Sequence, residues 1–356
     1  MEVLITGATG LVGRALARRL LEDGDRVRAL VRDVARASDL EAMGARTCAG
    51  DVGDPRTVYE AARGCGLAVH AAGISTHRAA PRALAWTNVA GTENVLRAAR
   101  KAGVRRVVVL SCADVTLCDE DRIGWNEDRT PARYLPDAHA ETKRLAEELA
   151  LASGDATMEV TALRPAPVWG PGDLGALPAL CAEALAAGGL PLYGDGSAIY
   201  ASAYVDNVVD ALVAALSAGD VNGRAYYVQD AEFLDAREFF GMLSRACGLP
   251  APRPGPAYPF AYAAAWLREK RRAPGAWRTD VVRRGRATQL DVQRALRDLD
   301  WRARTTVEDG MRALEAWVRA QGGPDALARR LRPPPDAASV DAQVALAGGD
   351  APTAPR

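Results

Sequence analysis

The sequence predicts an α/β protein, a doubly wound parallel sheet that carries a smaller, mixed C-terminal lobe. Three observations predict it. Short apolar runs alternate with helical patterns through the first half of the chain. A glycine-rich turn joins the first run directly to the first helix. The alternation then breaks down after Arg164.

Strands are expected at residues 3–6, 27–31, 46–49, 67–70, 106–110 and 159–163. Strands buried on both faces read as continuous apolar runs, as Val107, Val108, Val109 and Leu110 do. Helices are expected at 11–22, 57–63, 83–101 and 140–153. Past Arg164 come helices at 177–187, 206–216 and 236–245, with short strands near 190–193 and 225–229. A proline-rich loop, 250–259, leads into helices at 260–269, 290–297 and 307–320. The chain therefore divides into a unit at 1–168, to which 204–230 returns, and a lobe at 169–203 and 231–321. Residues 322–356, with Pro333, Pro334 and Pro335 among many Ala, Gly and Asp, are expected to be a disordered tail.

Lys plus Arg equals Asp plus Glu at 45 each, so no net field recruits nucleic acid. The six cysteines are scattered without a CxxC pair, and the three histidines form no ligand pattern. No metal is expected, and reduced thiols in the cytoplasm are. No apolar stretch reaches the roughly 18 residues of a membrane span. The most apolar segment, 257–267, ends in Arg268, Lys270, Arg271 and Arg272. It reads as a packed helix, with peripheral attachment as the other reading.

Gly7-Ala8-Thr9-Gly10-Leu11-Val12-Gly13 has a strand before it and a helix after it. Gly7 permits a tight turn, Gly10 a close backbone approach to a pyrophosphate, and Gly13 helix–strand packing. Free amides at Thr9, Gly10, Leu11 and Val12 then face the phosphates, as in a Rossmann-type dinucleotide site. A carboxylate at the end of the second strand bonds a ribose 2′-OH, whereas a cation suits a 2′-phosphate. The tip here is Val31, followed by Arg32, which favours NADP(H). Asp33, two residues past the tip, leaves NAD(H) open.

With these residues the chain resembles the extended short-chain dehydrogenase/reductases, in the 3β-hydroxysteroid dehydrogenase and epimerase/dehydratase-like branch, over residues 2–320. Gly50-Asp51-Val52 is similar to the family segment at the adenine, which implies contacts from Asp51 and Val52. His70-Ala71-Ala72-Gly73 looks like the loop passing the cofactor phosphates and ribose, which brings in Ala71, Ala72 and Gly73. Asn88-Val89-Ala90-Gly91-Thr92 also matches. Leu163-Arg164-Pro165 through Val168-Trp169-Gly170-Pro171-Gly172 resembles the stretch beside the nicotinamide, which implies roles for Pro165 and Val168. Tyr204-Val205-Asp206-Asn207-Val208 resembles a further family segment. The resemblance also implies that helices such as 83–101 and 140–153 pair subunits in a homodimer.

The family's chemistry rests on a Tyr-x-x-x-Lys unit plus a Ser or Thr, with tyrosine and lysine one helical turn apart. Here Lys143 is in place, but His139 stands where the tyrosine is expected. Cys112 stands in the serine position, after Ser111. Three readings compete. His139 exchanges the proton itself, its imidazole titrating near pH 6.5. Alternatively, another residue such as Tyr134 or Ser111 does so. In the third, redox turnover is lost, leaving a cofactor-binding protein, or the bound cofactor serves an isomerisation or dehydration. Each side chain also has an ordinary structural explanation. His139 suits a helix start, Cys112 a small buried hydrophobe, and Lys143 a surface pair with Glu147 at i+4. The expected function is an NADP(H)-dependent reductase of a carbonyl, or oxidase of the alcohol, on a small hydrophobic substrate bound by the lobe.

Overall fold

A computed structural model describes residues 2–271, 275–333 and 336. The chain opens with β1 (Glu2–Thr6), α1 (Leu11–Glu22), β2 (Arg26–Val31), α2 (Ser38–Ala42), β3 (Arg46–Ala49), α3 (Pro55–Ala62) and β4 (Leu67–His70). It continues through α4 (Pro81–Leu84), α5 (Gly91–Ala102), β5 (Arg106–Leu110), β6 (Arg122–Trp125), α6 (Ala138–Ala152) and β7 (Glu159–Pro165). Next come β8 (Val168–Trp169), α7 (Ala176–Ala187), β9 (Ala203–Tyr204), α8 (Val205–Ser217), β10 (Ala225–Val228) and α9 (Ala236–Cys247). The last elements are α10 (Tyr258–Arg271), α11 (Arg278–Gly285), β11 (Thr288–Leu290), α12 (Gln293–Leu299), α13 (Val307–Ala320) and α14 (Gly323–Ala328).

Seven parallel strands form the main sheet in the order β10-β7-β5-β4-β1-β2-β3. The chain runs outward from β1 to β3, then returns to β4 and runs the other way. The order thus reverses between β1 and β4, and the crevice at the carboxyl ends of those strands is where ligands bind in such sheets. Alternate strand residues feed two cores. Val3 and Ile5 pack with α1 and α8 residues such as Leu16 and Leu212, while Leu4 packs with Val58 and Val95 from α3 and α5. A third core, around Trp169, Phe239, Phe240 and Leu314, belongs to the elements after β7.

Four expectations need correction. The helix at 83–101 is interrupted, since Ala85–Ala90 winds as a π-helix between α4 and α5. This wider turn carries Asn88, whose side chain binds the loop after β4 and α6. The strand near 190–193 does not form. Pro191 offers no N–H and makes only an isolated bridge to Arg253, between glycines at positive φ. The helix expected from 290 starts later, because Thr288–Leu290 is spent on pairing with β6. Finally, the tail is ordered where it begins: α14 packs on α7 and buries Leu327 in the lobe core. Residues 334–335 and 337–356 of the expected tail lie outside the described residues.

Arg164, at the end of β7, ties the sheet to α6. Its Nε and Nη2 donate to the Glu147 carboxylate at 2.6–3.1 Å, and Nη1 donates to the Glu127 carbonyl at 3.1 Å. Glu147 is buried and Arg164 is mostly so. Removing one partner of such a pair strands the other charge, so Arg164→Met should lower stability by about 3–5 kcal/mol. Adding Glu147→Leu should recover most of the loss in denaturant titrations. A single mutant as stable as wild type would contradict this account.

Candidate active site

Helix α1 begins without a side-chain cap and without an acidic residue in its first turn. Its leading amides, at Leu11, Val12 and Gly13, thus stay free for an anion at the sheet's carboxyl edge. The turn is packed too tightly for side chains. A Cβ on Gly7, at φ +75, would lie 2.6 Å from the Ala71 carbonyl carbon and the Ala72 nitrogen. One on Gly13 would lie 2.3 Å from the Gly7 oxygen. Gly10 and the partly buried Thr9 complete the curve, with Gly10 N donating to the Gly7 carbonyl at 2.9 Å.

Asp51 accepts the Gly53 N–H at 2.7 Å, and its other oxygen lies 3.9 Å from Arg32 Nε. Val52 is buried, and its carbonyl accepts from Asn94. Arg32 is largely exposed. Asp33 is occupied locally, its carboxylate accepting the Ala35 N–H at 3.1 Å. Arg14 pairs with Asp39 and donates to the Arg36 carbonyl at 2.6 Å. Burial and the neighbouring cations Arg332, Arg32 and Arg14 hold the Arg36 guanidinium below its usual range. Cations outnumber carboxylates here.

A chain of buried hydrogen bonds fixes the loop after β4. Thr92 Oγ1 donates to the Asn88 carbonyl at 2.6 Å, so it accepts from His70 Nε2 at 2.9 Å. His70 Nδ1 then accepts from Thr6 Oγ1 at 2.7 Å, and that oxygen accepts the Ala72 N–H. Burial, with the nearby Lys143 charge, pushes the His70 imidazole down to about 3. Ala71 and Ala72 are thereby held against β1, Ile74 is clamped by Asn88, and Gly73 between them is exposed.

Helix α6 delivers His139 and Lys143 one turn apart. Lys143 Nζ donates to the Leu110 carbonyl at 2.6 Å, and burial lowers its pKa against the pull of Cys112 and Glu147. A surface pair between Lys143 and Glu147 is ruled out, because Glu147 serves Arg164. His139 is buried, and its Nδ1 has no hydrogen-bond partner among the described residues. Burial and Arg283 bring its imidazole down to about 4, against the opposing fields of Asp114 and Asp137. Cys112 is partly buried, and burial with Asp114 pushes its thiol up to about 12. Ser111 is buried, its Oγ unpartnered among the described residues and its N–H spent on the Leu163 carbonyl. Tyr134 is largely exposed and lies under Arg144. Pro165 ends β7 and is buried, and Val168 is partly buried in β8.

Three contributors carry no sequence signal. Asp114 pairs with Arg283, which arrives from α11. Burial would raise the Asp114 pKa, but Arg283 and other cations outweigh it and the pKa falls. Asp137 caps α6 by accepting from Ala140 N at 2.8 Å and holds Thr279 of α11 at 2.6 Å. Donor atoms of Cys112, Asp114 and His139 lie within 4.8 Å of one another. Arg283 and Lys143 already supply two cations there, so the cluster is suited to hydrogen bonding rather than to a further cation. The Tyr204–Val208 segment has a structural role instead. Asn207, fully buried, bonds Asp230 and the backbone at Arg304 and Thr305.

Comparison with known proteins gives the chain's relatives. The model of the NAD dependent epimerase/dehydratase family matches residues 3–228. A 2-alkyl-3-oxoalkanoate reductase of Stenotrophomonas maltophilia is 31% identical over 329 residues, 89% of this chain and 99% of that protein. A 4-hydroxy-2-methyl-3-oxo-4-farnesyl-3,4-dihydroquinoline-1-oxide ketoreductase of Stigmatella aurantiaca is 31% identical over 333 residues, 91% of this chain and 97% of that protein. Among solved structures, MoeE5 in complex with UDP-glucuronic acid and NAD superposes with a TM-score of 0.70 at 27% identity. The match covers 90% of this chain and all of that one.

His70 and His139 are neutral when folded but titrate near 6.5 when exposed. Below 6.5 the unfolded chain therefore binds more protons, and stability must fall with pH until each folded value, about 3 and about 4, is reached. Each histidine contributes up to about 1.4 kcal/mol per pH unit. Urea midpoints measured from neutral to mildly acid pH should decline, and His139→Ala should flatten the slope. An acid slope that persists unchanged in that variant would refute the assignment.

Proposed function

The chain belongs to the NAD dependent epimerase/dehydratase family and is an NAD(P)-dependent oxidoreductase, and we propose that it is specific for NADP(H) and acts between a ketone and a secondary alcohol on a small hydrophobic substrate. One observation carries the reading. His139 and Lys143 stand one turn apart at the carboxyl edge where the free amides of α1 open. The cradle at Gly7 and Gly13, which a Cβ would fill, suits a dinucleotide. The amides of Leu11, Val12 and Gly13 would hold its pyrophosphate, Asp51 and Val52 its adenine, and Arg32 with Arg36 a 2′-phosphate. Ala71, Ala72 and Gly73 would line its path, and Lys143, Pro165 and Val168 its nicotinamide end. When bound, that cofactor supplies or accepts the hydride.

The protein's own work is positioning and proton handling. Lys143, held on the Leu110 carbonyl, is placed to anchor ribose hydroxyls. His139 exchanges the proton with the substrate oxygen in place of a tyrosine, and Cys112 and Ser111 flank that oxygen. An imidazole at about 4 is neutral in ordinary buffers, so it acts readily as a base for alcohol oxidation. Ketone reduction instead needs the imidazolium, whose population falls tenfold per pH unit above about 4.

Two outcomes are expected. Reductive kcat/KM should climb steadily from about pH 8 to pH 5 while the oxidative value stays flat, and His139→Ala should lose roughly 10²–10⁴-fold. A reductive profile indifferent to pH would remove His139 from the proton path. At the other end of the site, the double change Arg32→Ala/Arg36→Ala should weaken NADPH binding far more than NADH binding, as read by fluorescence titration. Equal losses would argue for NAD(H).

A further inference from the structure

Behind Val168, among the elements after β7, lies a cavity of about 80 Å3. Trp169, Tyr200, Phe239, Phe240, Leu177 and Leu243 form part of its wall. The rings lock one another, with centroids 5.6 Å apart for Trp169 and Phe239 and 4.9 Å for Tyr200 with either phenylalanine. Two of its polar side chains are engaged elsewhere. Trp169 Nε1 donates to Asp230 at 2.9 Å. Asp173, the carboxylate in the wall, accepts from the backbone N–H groups of Gly175, Ala176 and Leu177 at 2.8–3.1 Å. What faces the space is therefore mainly hydrocarbon. Apolar cavities of this kind stay dry and accept apolar guests, one of about 150 Å3 taking benzene. The volume here suits an arm of about three or four carbons.

The cavity also reaches the segment that follows β7, through Pro167 and Val168 in its wall. Tyr200 turns its ring to the cavity, and its hydroxyl feels Arg284, Arg283 and Asp114. We propose that this cavity is the subsite for an apolar arm of the substrate, entered between Val168 and Tyr200, with the reacting carbonyl left at His139. The substrate class is then a ketone or its alcohol bearing a short, compact alkyl arm. The orientation rests on the oxidoreductase reading above.

Straight-chain methyl ketones of increasing length, assayed with NADPH and the full chain, test it. Turnover of the shortest ketone tests the oxidoreductase reading by itself, and the dependence on length tests the cavity. Each added methylene should raise kcat/KM about fourfold until the cavity is full, after which the gain should stop. Leu177→Phe should bring the break to shorter ketones and Leu243→Ala should move it to longer ones, judged by the ratio of long to short substrates. The second variant remains informative if the first does not fold. Short ketones turned over with no dependence on length, or a break that neither variant moves, would reduce the space to a packing void and overturn the subsite.

Discussion

No side chain fits between the first turn of α1 and the end of β1, and the rest of the site depends on that contact. The Gly7 carbonyl stands where a side chain on Gly13 would begin, and Gly7 itself is pressed on the backbone of Ala71 and Ala72. This close approach joins the strand and the helix amino terminus, neighbours in sequence, to the loop after β4, which lies far along the chain. The buried chain from Thr6 through His70 and Thr92 to Asn88 secures the same loop from beneath. The π-helical turn at Ala85–Ala90 carries Asn88 to that position, and Asn88 in turn reaches Thr142 on α6. The glycine turn and the part of α6 that carries Thr142 are thus joined by one continuous polar framework.

Around His139 the governing effect is desolvation, which sets the direction of the shift while four nearby charges pull both ways. Arg283 and Lys143 oppose protonation, and Asp114 and Asp137 favour it. Because Arg283 pairs with Asp114, the favourable field is partly cancelled and burial wins. Lys143 is lowered by the same burial, with its ammonium steadied by the Leu110 carbonyl. At about 4 the His139 imidazole is neutral near pH 7.

Much of the fold was legible in the chain because its causes are local. Val107–Leu110 can only be a strand buried on both faces, and Gly7, Gly10 and Gly13 mark a turn that few other residues tolerate. The glycine cradle of the candidate site was legible for the same reason. Illegible were features made by contacts distant in sequence. β6 and β11 are short strands that exist through each other, and α14 is helical because Leu327 finds the lobe core. Asp114 looked like one more acidic residue after a strand. Only the folded chain brings Arg283 to it. The pairing of Lys143 with Glu147 was the natural reading of i+4 spacing, and Arg164 overrides it through a better-desolvated contact.

Arg283 sits on α11, whereas His139 and Asp114 belong to the elements around the sheet. The acidity of the imidazole is therefore a joint property of two separate parts of the chain. Losing the Arg283 contact would take a cation from beside the histidine and leave the Asp114 carboxylate unpaired, and both changes would favour the protonated imidazole.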